Sequence, residues 1–213
     1  MTLDLLRSIG TFKGELCCDV LLERSLQTAL PEIAPPLAME IRHATHADLD
    51  LICAAYAPYP HLFLGKLAPD GTVPLPVRQL YADRLDRGEL CFIATAAGQL
   101  VHINWTCLTW GDGIPGRPLR LRPHEIYTTD GVTTERFRGK NVHAFVLRAM
   151  LVHAAALGRT WAYTLAGVQR RESLTGLERL GWHECGRVHY WLYANAEKVF
   201  ILVKRGKVEL LFR

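Results

Sequence analysis

The sequence predicts one α/β domain, on three observations. Short β-branched and aromatic runs alternate along the chain with segments of helical period, the pattern of strands flanked by helices. Of 213 residues, 49% are hydrophobic and 22% charged, a balance that supports a packed core and excludes a disordered chain. No internal repeat or low-complexity break divides the sequence, so a single core is expected over residues 39–213, preceded by an arm over residues 1–38.

Met1 to Ile9 has the pattern of a short helix closed by Gly10, and Leu16 to Leu26, with Cys17, Cys18, Val20, Leu21 and Leu22 clustered, reads as a strand. Pro31, Pro35 and Pro36 then make a linker, because proline removes backbone donors and keeps the preceding residue out of helix. The arm is expected to pack on the domain edge or on a second subunit; the sequence leaves both open, and with them a homodimer. Glu40 to Ala44 alternates as a strand, and Thr45 with Asp48 matches a capping box, Asp replacing the usual Glu or Gln, ahead of a helix from Leu49 to Ala55. Tyr56 to Pro76 is rich in Pro, Gly and aromatics and reads as a loop. Val77 to Arg87 is a second helix, and Cys91–Thr95 with Leu100–Thr106 is a hairpin. Trp110 to Pro118 reads as a Gly/Pro-rich loop, with Leu119 to Arg122 starting an added strand.

The centre of the chain is Glu125 to Leu157: a threonine-rich strand, a polar turn from Glu135 to Asn141, and a long amphipathic helix. A strand that leads directly into a helix leaves backbone N–H groups pointing out of the turn, and this turn carries Arg136, Arg138 and Lys140 around the permissive Gly139. These features favour one ligand, a phosphate or pyrophosphate. Downstream, Thr160 to Val168 reads as a strand and Leu174 to Leu180 as a helix ended by Gly181-Trp182. His189–Tyr193, Val199–Lys204 and Val208–Phe212 read as closing strands.

The segment Arg138-Gly139-Lys140-Asn141-Val142-His143 resembles the acyl-coenzyme A pyrophosphate loop of the GNAT N-acetyltransferases, Arg/Gln-x-x-Gly-x-Gly/Ala between a strand and a helix. Arg138 falls on the leading Arg, while Asn141 and His143 stand where the family has small residues. Asn readily takes a left-handed backbone, whereas a ring at position 143 crowds a cofactor. Counting back from Gly181, Ser173 takes the family's Ser/Ala place, Arg170 stands for its Asn and Leu177 for its tyrosine general acid. Ile41-Arg42-x-Ala44-Thr45-x-x-Asp48 is similar to the family's opening. The resemblance spans Met39 to Tyr193 and implies a GNAT-like mixed central β-sheet flanked by helices, with an N-terminal extension.

It also implies a function: transfer of an acetyl or other acyl group from acyl-CoA, as co-substrate, to a small-molecule or peptide amine by direct attack. Such a reaction needs aligned reactants, a sink for the amine proton and donors for the oxyanion. The backbone of Val132 and Thr133 is expected to polarise the thioester. Arg138, Gly139, Lys140, Asn141 and Val142, with Ser173, are expected to hold the cofactor. Glu125, Asp130 and His124 are candidate bases; Tyr163, Tyr190 and Tyr193 are candidate acids in place of Leu177. Tyr56, Tyr59, His61 and Phe63 are candidate acceptor contacts. The alternative is a catalytically inactive module of the same fold that binds a ligand or a protein, which the departures at Asn141, His143, Arg170 and Leu177 favour.

Other classes are set aside. A net charge of +4 falls short of the basic field of a nucleic-acid binder, despite Arg117, Arg120 and Arg122. No apolar run reaches the roughly 20 residues of a membrane span. The opening MTLDLLRSIG has an acid at position 4 and no small-residue cleavage site, so a cytoplasmic protein without a secretory signal is expected. The six cysteines form no Cys-x-x-Cys pair, and no metal site is expected. His143 and His153 lie ten residues apart on one helix, about 15 Å of rise, too far to share an ion.

Overall fold

The structure, a computed structural model, describes residues 14–58, 77–114, 117–193 and 198–208. Among the described residues, ten strands and four helices follow in the order β1 (Gly14–Ser25), β2 (Glu40–His43), α1 (Leu49–Tyr56), α2 (Val77–Asp86), β3 (Leu90–Ala96), β4 (Gln99–Cys107), β5 (Trp110–Ile114), β6 (Arg117–Arg120), β7 (Glu125–Thr133), α3 (Val142–Ala156), β8 (Trp161–Gly167), α4 (Arg171–Arg179), β9 (His183–Tyr193) and β10 (Lys198–Gly206). Eight strands form one mixed sheet in the order β10-β9-β1-β8-β7-β4-β3-β2. This is the α/β architecture with a central mixed sheet that the sequence predicts.

Helices cover both faces. On one, α3 places Val146, Leu147, Met150, Leu151 and Ala154, and α4 places Leu177, against Phe92, Ala94, Ile126, Ala162 and Ala166 of the sheet. On the other, Leu49, Ile52 and Tyr56 of α1 and Tyr81 of α2 pack on Cys91, Ile93, Ile103 and Trp105. Because β3 sends alternate side chains into two cores, its stretch Leu90–Ala94 is apolar without a break, as a strand buried on both faces must be. At the start of α1, the Asp48 carboxylate accepts the Thr45 backbone N–H at 2.9 Å, the bond expected of the capping box.

Three details differ from the sequence expectation or sharpen it. The strand read between Leu16 and Leu26 is not at an edge: β1 runs antiparallel to β8 on one side and to β9 on the other. The stretch Trp110 to Pro118, read as a loop, contributes to a hairpin of β5 and β6. The glycine that suggested a loop is there for close approach, since a Cβ on Gly111 would lie 2.3 Å from Cδ1 of Tyr127. β9 begins at His183, six residues before the expected His189, because pairing with β1 extends it. The expected helix from Met1 to Ile9, most of the Tyr56–Pro76 loop and most of the Val208–Phe212 strand lie outside the described residues.

The pairing of β7 with β8 positions the site. It is the parallel pair in a sheet whose other pairings are antiparallel, and it is short, matching Glu125–Thr128 with Trp161–Thr164. The Thr164 hydroxyl donates to the Thr128 carbonyl at 2.9 Å where the ladder ends. Beyond it, β7 continues on β4 and β8 continues on β1, so the sheet opens between them.

Candidate active site

A cavity of about 300 Å³ fills that opening. It lies at the carboxyl ends of two parallel strands, where α/β folds expose backbone amides and helix N-termini to a ligand. Thr128 and Gly131 of β7, Ala166 of β8, His143 of α3, and Ser173 and Leu177 of α4 line it on the face that carries α3 and α4. Asp19 of β1, Tyr127 of β7 and Tyr190 of β9 line it on the opposite face. The cavity therefore reaches both faces of the sheet.

A β-bulge shapes its wall. Trp105 pairs with Thr129 and Ile103 with Val132, so Asp130 and Gly131 together face Asn104. Asp130 adopts a left-handed backbone, φ 56°, which costs a non-glycine residue energy unless neighbours hold it. They do so from several elements. The Tyr56 hydroxyl, on a fully buried ring, donates to the Asp130 carbonyl at 2.5 Å. The Asp130 carboxylate accepts from Nη1 of Arg84 at 2.6 Å. Arg84, itself fully buried, also donates from Nε to Glu89 at 2.7 Å and lies 4.1 Å from the centre of the Trp105 ring. At Gly131, a Cβ would come 3.0 Å from both Asn104 Nδ2 and His143 Cε1, so glycine lets the His143 ring lie this close without displacing either side chain.

The turn after β7 leads into α3. Glu135–Phe137 form a 3-10 turn, and the Arg136 guanidinium lies 4.4 Å from the centre of the Phe137 ring. Arg138 donates from Nε to the Thr133 carbonyl at 3.3 Å. Asn141, with φ 59°, is the N-cap of α3, and Phe145 is the first residue whose N–H returns to it. The N–H groups of Val142, His143 and Ala144 precede that first helical bond, so they point out of the helix start. Arg138, Gly139, Lys140 and Asn141 are exposed beside them.

The ring of His143 continues a chain of polar groups. Its Nδ1 lies 3.5 Å from Nε2 of His102, whose Nδ1 lies 2.8 Å from the Thr133 hydroxyl. Burial pushes His143 down to about 4, and burial together with the neighbouring His143 holds His102 well below the ordinary histidine range. Both rings are neutral at physiological pH. Across the cavity, burial raises the Asp19 carboxyl, which accepts the Tyr190 hydroxyl at 2.8 Å.

The other candidates fall in different places. Glu125 is buried at the start of β7, where its carboxylate accepts the Arg122 N–H at 2.8 Å; neither Glu125 nor His124 lines the cavity. Tyr163 is buried among Leu21, Tyr127 and Val188, also away from the lining. Asp130 lines it, with its carboxylate on Arg84. Val132 and Thr133 close β7. The Thr134 N–H donates to Val101 of β4, so strand alternation turns the Val132 amide toward β4 and the Thr133 amide toward the opening. Ser173 lines the cavity. Tyr56 supports the bulge from beneath, and Tyr59, His61 and Phe63 lie outside the described residues. Sequence reading passed over His102, Asn104 and Asp19. Asp19 alone carried a signal, as an acid inside the apolar run Cys17 to Leu22.

Among the described residues no group of three metal-ligating side chains converges, and no helix is long and apolar enough to cross a membrane.

No family model and no curated protein matches the chain. Solved structures do. The chain is 12% identical to a GCN5-related N-acetyltransferase from Sphaerobacter thermophilus, with 96% of this chain and 56% of that one covered and a TM-score of 0.59. It is 16% identical to a GNAT-family acetyltransferase from Colwellia psychrerythraea, with 90% and 62% covered and a TM-score of 0.53. It is 10% identical to a conserved protein of unknown function from Staphylococcus epidermidis, with 90% and 67% covered and a TM-score of 0.61. The matched region thus spans between 56% and 67% of the length of these proteins. The fold is that of the GNAT superfamily.

Proposed function

We propose that the protein transfers an acetyl or other acyl group from acyl-CoA to an amine acceptor, a small molecule or a peptide, by direct attack of the amine on the thioester. The observation that carries this reading is the cavity where β7 and β8 part, with the N-terminus of α3 at its rim. The residues present suit the co-substrate. The outward N–H groups of Val142, His143 and Ala144, with exposed Arg138, Gly139, Lys140 and Asn141, form a cationic cradle for the pyrophosphate. Val132 keeps the end of β7 on β4, so that the Thr133 amide presents a fixed donor to the thioester carbonyl. Ser173 adds a hydroxyl on the wall supplied by α4.

Acyl-CoA supplies the activated carbonyl and a thiolate leaving group. The protein supplies alignment and a fixed field, which are effective in a site closed off from water. On the opposite face, the Asp19 carboxyl is placed to meet a cationic amine as it enters. We place the activity in the cytoplasm, in keeping with six cysteines among which no disulfide forms.

Calorimetric titration with acetyl-CoA tests the reading. Wild-type protein is expected to bind with micromolar affinity, and a variant carrying Arg138→Glu and Gly139→Glu to lose it. No binding of acetyl-CoA or of longer acyl-CoA by the wild type would remove the reading.

A further inference from the structure

We propose that His143 is the base that takes the amine proton, and that His102 and Thr133 carry this proton out of the cavity. The proposal rests on the acyltransfer reading above and supplies the base that reading lacks. Among the carboxylates that line the cavity, Asp130 is bound to buried Arg84 and Asp19 accepts the Tyr190 hydroxyl. His143 is the imidazole in that lining, its ring lying close over Gly131, where a Cβ would come 3.0 Å from its Cε1.

Behind His143 the contacts admit two assignments of protons, one the reverse of the other, and the relay uses the one that leaves Nε2 of His143 as an acceptor. His143 Nδ1–H donates to His102 Nε2, and His102 Nδ1–H donates to the Thr133 hydroxyl oxygen. His143 Nε2 is then an acceptor on the side chain that lines the cavity. Thr133 is half-buried, next to the exposed turn, so the chain ends within reach of water. Burial that holds both rings neutral makes each a poor place to store a proton and leaves each able to pass one on.

In the reaction, the amine nitrogen bonds to the acyl carbon and its proton moves to His143 Nε2. The Nδ1 proton of His143 shifts to His102 Nε2, the Nδ1 proton of His102 shifts to the Thr133 oxygen, and the hydroxyl proton of Thr133 passes to water. The C–S bond breaks with its electron pair on sulfur. The thiolate then takes the Nε2 proton of His143, and the same shifts run backwards as Thr133 recovers a proton from water. Both rings return to their starting tautomers, and nothing is oxidised or reduced.

His143 is a catalytic residue in this scheme; His102 acts through it and is a positioning residue. The test measures acetyl-CoA binding by calorimetry and thiol release from acetyl-CoA with spermidine, tyramine, glucosamine or water as acceptor. His143→Ala and His143→Gln are expected to bind acetyl-CoA as the wild type does, while kcat falls about 10²- to 10⁴-fold, the range for a lost general base. Added imidazole is expected to restore thiol release to His143→Ala. His102→Gln is expected to lower kcat at unchanged KM and to turn a bowed proton inventory in mixed H₂O and D₂O into a straight one.

Unchanged thiol release in the His143 variants, or a loss that imidazole does not restore, overturns the relay and leaves acyl-CoA binding standing. A wild type that binds acetyl-CoA but releases no thiol to any of these acceptors also overturns it. A wild type that binds no acyl-CoA overturns the acyltransfer reading, and the relay with it.

Discussion

Asp130 and Asn141 share a backbone conformation and almost nothing else. Both are non-glycine residues in the left-handed region, with φ of 56° and 59°, and they stand at the two ends of the segment that joins the cavity wall to the start of α3. Asp130 is held by α1 through Tyr56 and by α2 through Arg84, which also binds Glu89 and stacks on Trp105. Asn141 is exposed and held by its own turn. The difference shows two ways to keep an unfavourable backbone: distant groups over-determine it, or local geometry suits it and asparagine accepts it at low cost.

Breaking the comparison at Asp130 should have the largest effect. Arg84→Met removes the buried cation that Asp130 and Glu89 share, Glu89 keeping its pair with Arg87, and is expected to cost about 3–5 kcal/mol in urea denaturation. Tyr56→Phe removes the hydroxyl that donates to the Asp130 carbonyl, for about 1 kcal/mol, the cost of one hydrogen bond. Because both act through Asp130, the double variant should be non-additive, whereas Tyr56→Phe combined with a change at Asn141 should add. A double-mutant cycle that found the first pair independent would break the account of the bulge.

The histidines between the two positions give a pH dependence of fixed sign. The folded-state value of His143 is depressed from 6.5 to about 4, and His102 moves the same way. Between those pH values the unfolded chain binds protons that the folded chain refuses, so stability is full above pH 6.5 and declines as the pH falls toward 4. Each ring contributes at most about 1.4 kcal/mol per pH unit. Thermal melts across this range should show a shallower decline in His143→Gln than in wild type.

The smallest effect is expected at the exposed position. Asn141→Ala should cost about 1 kcal/mol, the penalty of a left-handed residue without local hydrogen-bonding capacity, and Asn141→Gly only a few tenths. If the turn is the pyrophosphate cradle, Asn141→Ala should weaken acetyl-CoA binding more than it weakens the fold, and calorimetry beside denaturation separates the two.

The same contrast explains what could be read in advance. The helix from Leu49, the hairpin of β3 and β4, the strand from Glu125 and the basic turn before α3 all declare themselves through neighbours in sequence: alternation, helical period, a capping pair, a glycine next to cations. The β5–β6 hairpin did not, because Gly111 serves a contact with Tyr127 rather than a turn. Nor did the wall of the cavity. His143 stood out as an obstacle at a helix start, and what it touches depends on His102, which carried no signal in its own strand.

Local order was therefore the sequence's to determine: strand and helix pattern, the cationic character of the turn, and an asparagine where a left-handed cap is needed. Tertiary structure decided the rest. It placed β1 between β8 and β9, parted β7 from β8 to open the cavity, and brought Arg84 to Asp130 and His102 to His143. The physical reason is range. Backbone propensity and capping act between residues a few positions apart, whereas burial and cross-strand pairing act between residues that only the completed sheet makes neighbours.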